Sequence, residues 1–135
     1  MLGVLFFMLI FLISWLALFI NWIIILITKR KLNKAMKNRH PNIRRNLNFA
    51  ESNLSAEQLM LGADLLFKVF LSFGSKERTK TYWNNFVDIK AIKDSNDSEI
   101  KQLLHRSIIL TSNFPKIWIV MVGSILMIFL LWPNK

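Results

Sequence analysis

Two apolar segments bracket the chain, and 17 of its 18 Lys and Arg residues lie between them. Residues 2–28 carry no charged side chain, and neither do residues 117–132. A spanning helix needs about 20 mostly apolar residues, because the hydrocarbon core is about 30 Å thick and a helix rises about 1.5 Å per residue. The pattern predicts an all-α membrane protein. One transmembrane helix sits at each end (2–28 and 116–132). Between them a basic juxtamembrane segment and connector (29–53) leads into an insert of about three amphipathic helices (54–115).

The first segment has no Lys or Arg ahead of it and ends in Thr28, Lys29 and Arg30 without a small-residue cleavage pattern. It reads as a retained helix rather than a cleaved signal. At about 40 Å it must tilt or emerge into the interface. Pro115 should kink or interrupt the approach to the second span. Lys116 is placed to snorkel to the headgroups, and Trp22, Trp118 and Trp132 read as interfacial anchors.

Orientation follows from charge. Between positions 29 and 45 stand Lys29, Arg30, Lys31, Lys34, Lys37, Arg39, Arg44 and Arg45, with no acidic residue. The positive-inside rule then puts the insert in the cytoplasm and both termini outside. The formal net charge of +10 could suit nucleic acid. Beside a membrane, anionic lipid is the more economical partner, and aromatic residues are absent from the basic run. These eight residues and Lys116 are the expected headgroup contacts, and no specific nucleic acid is expected.

Within the insert, Ser55 and Gln58 have capping-box spacing, with Leu54 and Leu59 at the staple positions. The helix they open should reach Phe73, with Gly74 in the left-handed position beyond it. Asp64 and Lys68 argue against a third span. The face of Leu59, Leu66, Phe70 and Phe73 suits lipid or a partner, and equally a small-bundle core. A further helix is expected over 76–92, where Tyr82, Phe86 and Ile89 keep helical spacing. Asp97 should cap the next, whose apolar face carries Ile100, Leu103, Leu104 and Ile108. Asn21, inside the first span, suits either a hydrogen bond across a helix interface near Gly123 and Ser124 or a place at the membrane surface beside Trp22.

The sequence contains no cysteine, so thiolate chemistry and disulfides are excluded. His40 and His105 lack metal-ligand spacing, and the four glycines are dispersed rather than gathered in a phosphate loop. No cofactor, metal site or catalytic group is expected, and the chain is read as a non-enzyme.

The order of elements carries a resemblance. A terminal span, a basic stretch with His40-Pro41, the run Asn96-Asp97-Ser98-Glu99-Ile100, and Arg106-Ser107-Ile108-Ile109-Leu110-Thr111-Ser112 before a last span resemble the universal stress protein B family. The two runs are the most similar parts. The middle, 54–80, looks longer here and departs most. The resemblance implies a bacterial inner-membrane location and a link to stress, and it supplies no catalytic residues. Other readings compatible with the sequence are a pore-forming or holin-like protein, an accessory subunit of a larger membrane complex and a membrane-tethered nucleic-acid binder. A protein partner or homo-oligomer fits several of these.

Overall fold

A computed structural model describes residues 1–44 and 56–133. Five helices follow one another: α1 (Leu2–Arg39), α2 (Ala56–Leu71), α3 (Lys76–Asn84), α4 (Ile89–Asp94) and α5 (Ser98–Leu131). Arg45, Leu54 and Ser55, and with them the expected capping box, lie outside the described residues.

The long helices α1 and α5 form an antiparallel hairpin. Gly3 lies beside Leu131, Asn21 bonds to Leu110, and Arg39 pairs with Asp97 and Glu99, so the two run side by side from end to end. Both are long and apolar enough to cross a membrane, and only 11% of the most apolar window of each is buried. Beside Val4 and Ile108, the residues buried along these stretches are small or polar: Ser14, Asn21 and Thr28 on α1, and Ser107, Thr111, Ser112, Pro115 and Ser124 on α5. The three on α1 recur every seven residues, the spacing that keeps one stripe facing a partner helix. Hydroxyls can be buried there because they bond back to their own helix. Thr28 donates to Ile24 O (2.7 Å), Ser107 to Leu103 O (2.9 Å) and Thr111 to Ser107 O (2.8 Å).

Pro115 does not interrupt α5. The helix runs unbroken from Ser98 to Leu131 with the proline ring fully buried. A proline removes one ladder bond, which close packing against a neighbouring helix offsets. The membrane borders expected at 28/29 and 115/116 therefore fall inside continuous helices rather than at breaks. The apolar stretches are also staggered. Interpolating between the Gly3–Leu131 and Asn21–Leu110 contacts puts Lys116 opposite about residue 16 of α1. The extra apolar turns of α1 thus lie beside the polar-flanked approach of α5, and α2 and α3 pack on α5 and on each other.

Beyond those turns the chain builds a conventional core. Leu32 and Met36 of α1, Trp83 and Val87 after α3, Ile89 and Ile92 of α4, and Ile100, Leu104 and Ile108 of α5 pack together. Burying each such aliphatic side chain contributes about 1.5–3 kcal/mol. Asp97 caps α5 through Ile100 N, as its position predicts. The single helix expected over 76–92 is two. It stops at Asn84 and restarts at Ile89 under a cap from Asp88 to Ala91 N. Asn84, Asn85 and Asp88 are residues whose side chains compete for backbone groups and favour ends over interiors.

Candidate membrane-contact site

The helix α2 ends at Leu71, two residues earlier than expected, and the turn passes through Phe73 (φ 55°) and Gly74 (φ 74°). The left-handed position at Gly74 is therefore present, and the Ser112 hydroxyl donates to the Gly74 carbonyl and fixes the turn against α5. Arriving at that turn, Phe70 packs edge-on against Phe114 and Trp118, with ring centroids 5.9 Å away in each case. The outer face of α2 is unusual for an amphipathic helix on a soluble core: Leu59, Met60, Leu61, Phe67, Leu71 and the turn residue Phe73 are all exposed. Leu66, 36% exposed, and Phe70 line a cavity, while Val69 is buried. The expected face therefore divides: Phe70 packs within the helix bundle, Leu59 and Phe73 are exposed, and the main core forms from α1, α3, α4 and α5.

The basic run divides into groups. Arg30, Lys31, Lys34 and Lys37 are exposed along the side of α1 away from buried Thr28, Leu32 and Met36. Lys31 and Lys34 join Arg39 and Glu99 around an open hollow on the surface. Arg39 is committed to α5, at 3.0 Å from Asp97 and 2.8 Å from Glu99. His40 Nε2 is 3.2 Å from the same Asp97 carboxylate. Burial alone would raise the Asp97 pKa, but the Ile100 amide, His40 and Arg39 outweigh it and hold the carboxyl below its ordinary value. Arg44 donates to the Asn84 (2.6 Å) and Asn85 (3.0 Å) carbonyls. It thus satisfies backbone acceptors at the end of α3, a role the sequence reading did not give it. Arg45 lies outside the described residues. Lys116 is exposed on α5.

Lys29 differs from the others. It is half-buried, and its ammonium sits 5.6 Å from the centre of the Phe86 ring. It stands at the edge of a cavity of about 270 Å³ between α1, α2, α3 and α5, whose other polar contributors include Tyr82. Burial pushes the Tyr82 phenol above its ordinary pKa, so it remains a neutral hydroxyl. Trp83 closes the inner wall and donates from Nε1 to the Thr111 hydroxyl at 2.9 Å. A second hollow of about 260 Å³ continues along α1 between Trp15, Leu18, Phe19 and Trp22, sharing Trp22 and Phe114 with the first.

Of the expected anchors, Trp22 and Trp118 are half-exposed on this side of the hairpin and Trp132 is exposed at the end of α5. Asn21 does bond across the interface, but to the Leu110 carbonyl at 3.0 Å rather than near Gly123 and Ser124. Ser124 lies 14 residues further along α5 than Leu110, well beyond the reach of Asn21. Among the described residues no three His, Asp or Glu side chains gather as a metal site. Neither the cavity nor the Arg39–His40–Asp97 cluster was legible beforehand, since each joins residues more than 50 positions apart. No family model, curated protein or solved structure matches the chain.

Proposed function

We propose that this chain is a non-catalytic integral membrane protein whose α1–α5 hairpin crosses the bilayer twice, holding a basic helical insert against an anionic cytoplasmic leaflet. The observation that carries this reading is the inverted burial along the hairpin. Ser14, Asn21, Thr28 and Ser124 are enclosed, whereas Leu5, Phe6, Leu9, Leu12, Ile13 and Leu16 face outward. In water this arrangement is unfavourable by about 25 cal/mol for every Å² of apolar surface left exposed. In lipid it is the expected one, since small and polar residues let helices approach and apolar side chains meet hydrocarbon.

The apolar outer face of α2 and the exposed row Arg30, Lys31, Lys34 and Lys37 support contact of the insert with the membrane surface, each basic residue near an anionic leaflet contributing about 1 kcal/mol. The charge asymmetry favours a cytoplasmic insert with both termini outside. A bacterial inner-membrane setting and a link to stress follow from the resemblance to the universal stress protein B family. In this fold its two runs are the start of α5 and the α5 face that meets α1 and the turn after α2. Alkaline carbonate washing of membranes tests the central claim. An integral hairpin stays in the pellet, and release into the supernatant would overturn it.

A further inference from the structure

The cavity beside Lys29 has an apolar wall, one charged group and an apolar extension. Its lining includes one cation and no carboxylate, with the Tyr82 side chain as a second polar group. The remaining lining is mostly apolar, from Ile25, Leu26, Leu66, Phe70 and Phe114. The extension past Trp22 toward Trp15 gives a channel along 14 residues of α1, about 21 Å at about 1.5 Å per residue. One leaflet of hydrocarbon is about 15 Å deep, half of the bilayer core. The two hollows together fall within the volume range of small-molecule sites, about 300–1,000 Å³.

We infer that this channel holds one acyl chain of an anionic phospholipid from the leaflet facing the insert, with the lipid phosphate at the Lys29 ammonium. The inference rests on the membrane reading given above. Three features select the ligand. The channel is apolar for the length of one chain. The cation stands at the end that the insert covers, where headgroups lie if the hairpin spans the bilayer. The lining holds one cation and no carboxylate, so its net charge is positive and the net-anionic lipid is preferred. The aromatic walls, Trp22, Phe86 and Phe114, offer flat surfaces to methylene groups, and Leu66 of α2 closes the side.

Photocrosslinking in vesicles tests this with the full chain. Phosphatidylglycerol or phosphatidylcholine carrying a diazirine in one acyl chain is added at equal mole fraction to phosphatidylcholine vesicles containing the protein, and adducts are mapped by mass spectrometry. Adducts on Leu66, Tyr82 and Phe86 are expected to be about fivefold more abundant with the anionic probe, the preference that one lysine at an anionic site provides. Adducts on Leu5 and Leu9, on the outward face of α1, should be equal for both probes. Lys29→Gln should abolish the cavity preference and Lys29→Arg should retain it. Leu66→Phe should fill the cavity and suppress adducts on Tyr82 and Phe86 for both lipids. Equal labelling of the cavity by both probes in the unmodified chain, or an anionic preference that survives Lys29→Gln, overturns the inference. So does labelling of Leu5 and Leu9 with none in the cavity, which leaves the membrane reading standing. Absence of labelling on Leu5 and Leu9 removes the membrane reading, and the inference with it.

Discussion

The side-chain amide of Asn21 donates to the main-chain carbonyl of Leu110 at 3.0 Å, in the turn of α5 that precedes Pro115. The bond joins the two long helices at the only amide side chain within the apolar stretch of α1, and Asn21 itself is buried. In a helix, a carbonyl already engaged in the ladder has a second lone pair to offer. The arrangement therefore adds an interhelical bond without opening the helix.

Replacing Asn21 by Ala should weaken the hairpin by about 0.6–1.7 kcal/mol, the range of interhelical polar contacts measured in membrane proteins. Unfolding in mixed micelles by a denaturing detergent reads the change. Asn21→Ala indistinguishable from the parent would mean the bond contributes nothing in lipid.

Trp83 and Thr111 should prove coupled. The indole donates to the Thr111 hydroxyl at 2.9 Å inside the core, where Trp83 is 3% exposed. Thr111→Val leaves the indole N–H buried without its acceptor and should cost about 1–3 kcal/mol. Trp83→Phe removes the donor as well as apolar area. In a double-mutant cycle the two changes together should cost less than their sum, and additivity would contradict the bond.

Gly74→Ala should disrupt the turn between α2 and α3. Gly74 has φ 74°, and an added methyl would collide with the Ser112 backbone. A loss of at least about 1 kcal/mol is expected from the backbone conformation alone. Gly123→Ala is the control, since nothing lies within 4 Å of the new carbon. Protease resistance of the insert separates them: Gly74→Ala should become sensitive and Gly123→Ala should not.

Acid should release the insert from α1. The Asp97 carboxyl is held below the ordinary range of a carboxylate because the Ile100 amide, His40 and Arg39 outweigh the burial that opposes them. A depressed acid contributes stability that is fully present above the unfolded-state pKa and is lost as pH falls through the lower folded value. Stability should therefore be insensitive to this group above about pH 4 and decline below it. Asp97→Asn, which still caps α5, should lack that part of the acid transition. An unchanged acid limb would show that Asp97 does not carry it.

The basic residues should separate by partner. Changing Arg30, Lys31, Lys34 and Lys37 to Gln should reduce the enrichment of anionic lipid around the reconstituted protein in a salt-dependent manner. Arg44→Gln should leave that enrichment intact and instead loosen the end of α3, where Arg44 meets the Asn84 and Asn85 carbonyls. Quenching of tryptophan by a labelled anionic lipid and hydrogen exchange at residues 84–89 measure the two effects. Loss of anionic-lipid enrichment in Arg44→Gln would reverse the assignment.

Local signals in the sequence determined the helices. The uncharged runs at 2–28 and 117–132, the Asp97 cap and the left-handed Gly74 each depend on neighbours within a few positions, so they could be read directly. Of the two places open to Asn21 in the sequence, the helix interface is the one it takes, at a different partner from Gly123 and Ser124. Tertiary structure decided the rest. Pro115 stays within an unbroken helix because its ring is buried, and the expected helix over 76–92 ends at Asn84, where Arg44 takes the terminal carbonyls. Arg39 is drawn out of the basic row by Asp97 and Glu99. The cavity beside Lys29 exists only where four helices meet. Hydropathy and caps are properties of consecutive residues. Which charges find a partner and where a cavity remains depend on residues brought together across the chain by packing, and no short window of sequence contains them.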